Sequence, residues 1–386
     1  MPSRERPMQT EIISSGDQNR YSSSLRRVAA ALRDGALVIF PTETVYGVGA
    51  NALNGEALAR LRKVKGRGYD QSFTVHLPHR ADARRYVGSP PPLARRLARK
   101  AWPGPLTLIC PVSAPEQEEI AREAPPERLS EMFRSGKVGL RCPAHAVATE
   151  LLREAGVPIV ASSANRAGNL PPFDLTEALR DLGGAVEFAL DAGRTRLNSA
   201  STIVEIKGRD WMIRRTGAID ERTIRRMATT EILMVCTGNS CRSPIAEYLF
   251  RAKLAARLGI PITELAAEGY VVSSAGMAAV AGGPISAGSR DELAKRDIQV
   301  VKHRAQPLTV ELIQRSERIY TMAPEHRTAV LDLVPSAVDR VFLLDREEPV
   351  PDPIGGGPEE YRHCAVQIER AVDARLEEFL NEDLNW

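Results

Sequence analysis

Apolar and polar positions along this chain alternate in a way that divides it into short strand-like runs separated by helical periodicities. Residues 36–40, 73–77, 107–110, 138–141, 159–161 and 202–206 are apolar or alternating stretches of strand length. Between several of them, apolar positions recur at helical spacing, as in 25–33 and 57–64. The mixture predicts an α/β or α+β domain around a twisted sheet. A later apolar run, 231–235, is followed by a short polar loop and then by Ile245, Tyr248, Leu249, Ala252 and Ala256 at helical spacing. That reads as strand, tight loop, helix, with Ser243 suited to the N-cap and Pro244 to the first helical position. The first twenty or so residues are polar and are expected to be loosely ordered. A polar stretch at 115–126 reads as a surface excursion.

Composition adds a seam. At 386 residues the chain accommodates two ordinary domains, expected at 20–220 and 231–386 with 220–230 as a short connection. Residues 1–225 carry a net charge of +9 and the remainder −6. A basic first part suits a polyanionic ligand such as a nucleotide or RNA. Five cysteines, odd in number and without metal-ligand spacing, point to a reducing cytoplasm rather than a disulfide framework. No apolar run has membrane-spanning length, and the N-terminus lacks the apolar core of a secretion signal, so a cytoplasmic protein without membrane contact is expected.

The most informative stretch is Cys236-Thr237-Gly238-Asn239-Ser240-Cys241-Arg242-Ser243-Pro244. In a strand–loop–helix setting, loop N–H groups and the helix dipole converge on one point, which suits an oxyanion. A cysteine at the base of such a loop, beside an arginine, ionises more easily than a free thiol. Arg242 offers a planar fork for two phosphoryl oxygens, and Gly238 lets the loop curl. Covalent phosphoryl transfer to sulfur is the natural use.

This string resembles the low-molecular-weight protein tyrosine phosphatase family, from about Glu231 onward. Ser274-Ala275-Gly276, His303-Arg304-Ala305, the strand end at 319–322 and Asp352-Pro353 also match. The resemblance implies Cys236 as nucleophile, Arg242 as phosphate clamp and Asp352 as general acid, without a cofactor. It makes Thr237, Gly238, Asn239, Ser240, Cys241 and Ser243 the supporting loop, and a phosphoprotein the substrate. Two departures bear on that substrate. Tyrosine-directed members usually carry an aromatic residue after Asp-Pro, where this chain has Ile354. Ser240 stands where they carry a bulky apolar residue, and a related phosphoarginine-directed branch has a small hydroxyl residue there.

The first part carries neither a Gly-x-x-x-x-Gly-Lys-Ser/Thr loop nor Gly-x-Gly-x-x-Gly, so spacing alone does not specify ATP. Residues 41–47, Lys65-Gly66-Arg67, 102–107, 138–143, Ser163-Ala164-Asn165, Ser201-Thr202 and Arg215-Thr216-Gly217 nevertheless occur in an order that resembles the YrdC family of threonylcarbamoyl-AMP synthases, over roughly 20–220. The resemblance implies synthesis of threonylcarbamoyl-AMP and pyrophosphate from L-threonine, bicarbonate and ATP with Mg²⁺. A partner transferase then moves the threonylcarbamoyl group to adenosine in tRNA. It implies ATP contacts at Lys65, Arg67, Arg141, Ser163, Asn165 and Arg215, and threonine contacts at Thr44, His76 and Ser201. Gln71-Ser72-Phe73 departs from the Pro-Leu pair that usually follows Lys-x-Arg.

Other readings stay open beside these. Lys63, Lys65 and Arg67 also fit a solvated charged run, His76 a structural hydrogen-bonder and Ser163 a helix cap. Arg95, Arg96, Arg99 and Lys100 read as an exposed helix face, with tRNA contact open, and Cys110, Cys142 and Cys364 as structural. The implied class is α/β throughout: a twisted-sheet YrdC-like domain, then a phosphatase-like domain with a parallel sheet flanked by helices. Two rivals are an RNA- or nucleotide-binding module that targets the phosphatase, and a redox or arsenate-reducing thiol domain using Cys236 and Cys241.

Overall fold

The computed structural model describes residues 9–14, 18–66, 68 and 72–383. The chain divides into two compact units that meet in sequence between Met227 and Ala228. Among the described residues no helix is long and apolar enough to cross a membrane.

The first unit is built on a ten-stranded mixed sheet. Its strands are β1 (Glu11–Ser14), β2 (Val38–Phe40), β3 (Gly47–Asn51), β4 (Thr74–His76), β5 (Leu106–Pro111), β6 (Lys137–Arg141), β7 (Ile159–Ser163), β8 (Phe188–Asp191), β9 (Thr202–Lys207) and β10 (Asp210–Arg215). They lie in the order β1-β8-β2-β3-β7-β4-β6-β5-β9-β10. Helices Gln18–Asp34 and Ala146–Ala155 pack Leu25, Val28, Leu32, Leu151 and Leu152 against Val38, Phe40 and Ile159 of the sheet. β3 passes so close to β2 that a Cβ on Gly49 would lie 2.9 Å from the Phe40 ring. Its Gly-Val-Gly-Ala-Asn sequence therefore gives little strand signal while being required for the pairing.

Three local expectations change. The first twenty residues include β1, which pairs in parallel with β8 through Glu11↔Phe188 to Ser14↔Asp191. The basic residues of helix Pro92–Ala101 do not form an exposed face, because Arg96 is buried and Arg95, Arg99 and Lys100 are half-buried. Within 115–126, Ile120 is buried, so this stretch is pinned to the core rather than looped outward.

The second unit holds a four-stranded sheet, entirely parallel, in the order β12-β11-β13-β14. Its strands are β11 (Thr230–Cys236), β12 (Tyr270–Gly276), β13 (Arg318–Thr321) and β14 (Val341–Leu343). β11 reads as a continuous apolar run because both faces are covered. Ile245, Leu249, Ile368, Val372 and Phe379 from helices Arg242–Leu258 and Pro358–Asp383 cover one side, and Ile313, Val330 and Val341 join the other. β11 leads to β12 on one side, whereas β13 leads to β14 on the other, so Cys236 ends its strand where ligands commonly bind in such sheets.

The expected connection at 220–230 is a helix, Glu221–Ala228, with Ile224 fully buried and Arg225 lying over the Trp211 ring at 5.3 Å. Truncating Ile224→Ala should therefore destabilise the first unit by about 2–5 kcal/mol. Thermal unfolding of a 1–228 fragment with and without the substitution checks this, and unchanged melting would show that the helix is a mere tether.

Candidate active sites

One face of the first sheet carries a cavity of about 390 Å³. Because alternate strand residues share a face, its floor is built from Thr74 and His76 of β4, Lys137, Gly139 and Arg141 of β6, Thr107 and Ile109 of β5, and Ile203 and Glu205 of β9 with Ser201 just before it. Arg141 is buried beside Glu43, its Nη2 donating to Glu43 Oε1 at 3.0 Å and to Thr44 Oγ1 at 2.6 Å. Glu43 Oε2 accepts the Ala144 N–H at 3.1 Å, so the buried pair also fixes the loop after β6.

Arg215 donates to the Ser201 carbonyl at 2.8 Å and to its Oγ at 3.0 Å, and that hydroxyl also sits 3.0 Å from Thr107 Oγ1. His76 Nδ1 lies 3.1 Å from the Thr74 carbonyl. A carbonyl only accepts, so this contact puts the proton on Nδ1 and leaves Nε2 with its lone pair. Burial, aided by the Arg141 charge, pushes the imidazole down to about 3, so it is neutral.

The expected contacts divide into two sets. Arg141, His76, Ser163, Ser201 and Arg215 line the cavity. Thr44 lies behind Arg141, fully buried. Lys65 is buried rather than solvated: its Nζ donates to the Ser163 carbonyl at 2.6 Å, to the Asn165 carbonyl, and to Asn165 Oδ1 at 3.3 Å. Asn165 in turn donates to the Asn169 carbonyl at 2.7 Å. Lys63 is exposed. Arg67 and Gln71 lie outside the described residues, while Ser72 and Phe73 line the cavity.

In the second unit Cys236 ends β11 and the loop 237–241 curls back over it. Cys236 Sγ accepts the Asn239 N–H at 3.3 Å and lies 3.0 Å from Ser243 Oγ. The curl needs Asn239 in the left-handed region, at φ 53°. Its side chain holds that turn by donating to Ser243 Oγ at 3.0 Å and Ser274 Oγ at 2.8 Å and accepting from Gln306 N–H at 2.9 Å. His303 Nε2 lies 2.8 Å from the Asn239 carbonyl. Ser274 donates onward at 2.6 Å to Glu247, whose carboxyl burial raises above the usual carboxylate range. The loop also presses on Gly276, where a Cβ would lie 2.5 Å from the Thr237 carbonyl.

The helix begins at Arg242 with Cys241 at its N-cap, so the Ser243 hydroxyl serves Cys236 instead of capping. Arg242 is buried and donates to Thr237 Oγ1 at 3.0 Å, to the Val350 carbonyl at 3.2 Å, and to Asp352. Asp352 is half exposed to solvent at the mouth of the loop and also accepts the Ile354 N–H at 3.2 Å. Cys241 Sγ lies 3.5 Å from the Tyr361 hydroxyl and 3.6 Å from Ser240 Oγ. Cys110, Cys142 and Cys364 are buried thiols, each pushed up to about 12 by burial.

Sequence reasoning missed Glu43, Glu205 and His326. Glu205 lines the cavity, held by Lys137 at 2.7 Å and by Arg214. Glu43 stood in plain view inside 41–47, but only the fold shows that it anchors Arg141. His326, fully buried, reaches Thr237 Oγ1 at 3.0 Å from a separate helix, Pro324–Leu333, and no local pattern marks it.

Residues 30–217 match the Sua5/YciO/YrdC family model, described as telomere recombination, and residues 231–385 match the low molecular weight phosphotyrosine protein phosphatase model. A threonylcarbamoyl-AMP synthase from Thiobacillus denitrificans is 31% identical over 179 residues, covering 46% of this chain and 88% of its own. A Pyrococcus abyssi Sua5 structure is 25% identical, covers 69% of this chain and 91% of its own, and superposes with a TM-score of 0.50. The YwlE arginine phosphatase structure from Geobacillus stearothermophilus is 31% identical and covers 40% of this chain and 96% of its own, at a TM-score of 0.35. With a buried arginine cavity in one unit and a Cys–Arg loop in the other, the chain belongs to the Sua5/YciO/YrdC family of threonylcarbamoyl-AMP synthases and carries a low molecular weight phosphatase domain behind it.

Proposed function

We propose that the first unit makes threonylcarbamoyl-AMP from L-threonine, bicarbonate and ATP, and that the second hydrolyses a phosphorylated protein side chain, with phosphoarginine preferred over phosphotyrosine. The observation that carries the first reading is one cavity lined by Arg141, Arg215, Ser201 and a neutral His76. The arginines suit a carboxylate and phosphates. Neutral His76 can accept a hydrogen bond from the threonine amine at Nε2 and orient it. The amine adds to the bicarbonate carbon and a C–O bond breaks, the hydroxyl leaving with the amine proton as water. The carbamate oxygen then attacks the α-phosphorus of ATP and pyrophosphate leaves. Glu205 is the single carboxylate among the described lining residues, and it is held by Lys137 and Arg214. Magnesium enters as Mg·ATP, a substrate. The product requires a transferase that passes the threonylcarbamoyl group to tRNA, and the basic first part leaves room for direct tRNA contact.

A merely RNA-binding module would not need Lys65, Ser163 and Asn165 tied together beneath an arginine-lined cavity. Lys65→Ala should lower threonine-dependent pyrophosphate release by on the order of 100-fold, because it releases the loop that presents Ser163 and removes a positive charge near the phosphates. Arg67→Ala should do the same. Full activity in both folded variants would contradict the ATP assignment.

For the second unit the carrying observation is Cys236 at the base of a hydrogen-bonded loop with Arg242 and Asp352 in contact at its mouth. Cys236 attacks phosphorus, Arg242 holds the equatorial oxygens, and Asp352 protonates the leaving atom before water releases phosphate from sulfur. A redox thiol pair would have no use for Asp352, and Cys241 is engaged with Tyr361. Cys236→Ser should be inactive. Asp352→Ala should slow hydrolysis by ~100-fold or more for poor leaving groups and far less for good ones. Equal losses on both would remove Asp352 from the acid role.

The substrate preference rests on Ser240 and Ile354. Ile354 is exposed and offers no π face for a phenyl ring, a contact worth about 0.5–1.5 kcal/mol beyond area burial. The Ser240 hydroxyl gives a smaller, more polar wall that can hold a guanidinium. Phosphoarginine peptides should turn over faster than matched phosphotyrosine peptides, and Ser240→Ile should shift the ratio toward tyrosine. A clear phosphotyrosine preference in the unmodified protein would leave a tyrosine phosphatase instead.

A further inference from the structure

Thr237 is the exposed residue directly after the nucleophile, yet its hydroxyl is held from two sides. Arg242 Nη2 donates to Oγ1 at 3.0 Å, and His326 Nε2 lies 3.0 Å from the same oxygen. His326 is fully buried, and its Nδ1 has no hydrogen-bond partner among the described residues. Burial, helped by the Arg242 charge, holds its imidazole below the ordinary histidine value, so it is neutral and carries one proton. Were that proton on Nδ1, a donor would be stranded in the interior. A bare lone pair there is the less costly arrangement, because orphaned buried N–H groups are rarer than under-satisfied acceptors. The proton then sits on Nε2 and is donated to Thr237.

A threonine hydroxyl has one hydrogen and two lone pairs. With Arg242 and His326 both donating to the oxygen, its own hydrogen has no acceptor in that pair and is free to point into the loop. We propose that Thr237 is a further substrate-contacting residue of the phosphatase site, donating its hydroxyl hydrogen to a phosphoryl oxygen, and that His326 is the positioning residue that fixes this polarity. The contact joins Arg242 and the loop N–H groups as an additional donor to the anion. The reverse polarity, with Thr237 donating to His326, would present only a lone pair to the phosphate and repel it. Arg327, next in sequence, sends its Nε instead to the Val341 carbonyl at 3.4 Å, so His326 is what its helix contributes to this hydroxyl.

The inference rests on the phosphatase reading, but its test does not need turnover. Selective ¹⁵N-histidine labelling of the full chain, with the His326 signal assigned by its loss in His326→Gln, reports which ring nitrogen is protonated. The expected result is a neutral ring protonated at Nε2, unchanged on adding inorganic phosphate. A proton on Nδ1 would overturn the proposal. As a second measurement, inorganic phosphate binding should weaken roughly 10-fold in Thr237→Val and in His326→Leu, with no further loss in the double variant. His326→Gln, whose side-chain amide can still donate, should recover most of the affinity, as should Thr237→Ser. Unchanged phosphate affinity in a folded Thr237→Val would overturn the proposal even if His326→Leu fails to fold. A wild-type chain that binds phosphate with this pattern but hydrolyses no phosphopeptide would sink the phosphatase reading alone.

Discussion

Burying a positive charge is tolerable only when oxygen atoms surround it, and this constraint shapes both sites. Lys65, Arg141 and Arg242 are each 5% exposed or less. All three are almost cut off from solvent, so each takes its partners from the nearest loops. Lys65 gathers the carbonyls of 163 and 165, Arg141 gathers Glu43 and the Thr42–Thr44 turn, and Arg242 gathers Thr237, Val350 and Asp352. Removing one partner from such a set typically costs about 3–5 kcal/mol. The loops that carry the chemistry are thereby held at fixed positions by the charges that serve it.

The two units meet this constraint on different scaffolds. In the first, the cavity spreads over one face of a mixed sheet, and its floor comes from four strands, β4, β5, β6 and β9, at alternate positions. A wide, shaped floor suits the three substrates of the proposed synthase reaction. In the second, the site gathers around the end of a single parallel strand, where one loop and one helix start form the cradle. A compact cradle suits one phosphoryl group. Supporting contacts differ accordingly: ion pairs across strands in the first, and a chain of neutral hydroxyl and amide groups from Cys236 through Ser243, Asn239 and Ser274 in the second.

Much of this was legible in the sequence wherever function is written locally. The Cys–Arg loop lies within one strand–turn–helix, and the central strands with both faces covered announce themselves as apolar runs. Signals failed where partners come from afar. β1 and β3 are polar or glycine-rich and become strands only by pairing with β8 and with Phe40-bearing β2. In the sequence Lys65 fits an ATP contact and also a solvated charged run, and its burial is seen only once the 163–165 loop is folded over it. Arg96 reads as surface because helical spacing does not reveal which side meets a second layer. Glu205 and His326 have no local pattern at all, since each matters through a residue far away in the chain.

The central claim is that the arginine-lined cavity acts on threonine rather than merely holding a nucleotide or RNA. Mass spectrometry of adenylated products, after incubating the full chain with ATP, bicarbonate and each amino acid in turn, tests this most directly. The expected product is threonylcarbamoyl-AMP with threonine, dependent on bicarbonate and undiminished in Cys236→Ser. An absence of any adenylated product, or an adenylate formed equally without threonine or bicarbonate, would contradict it.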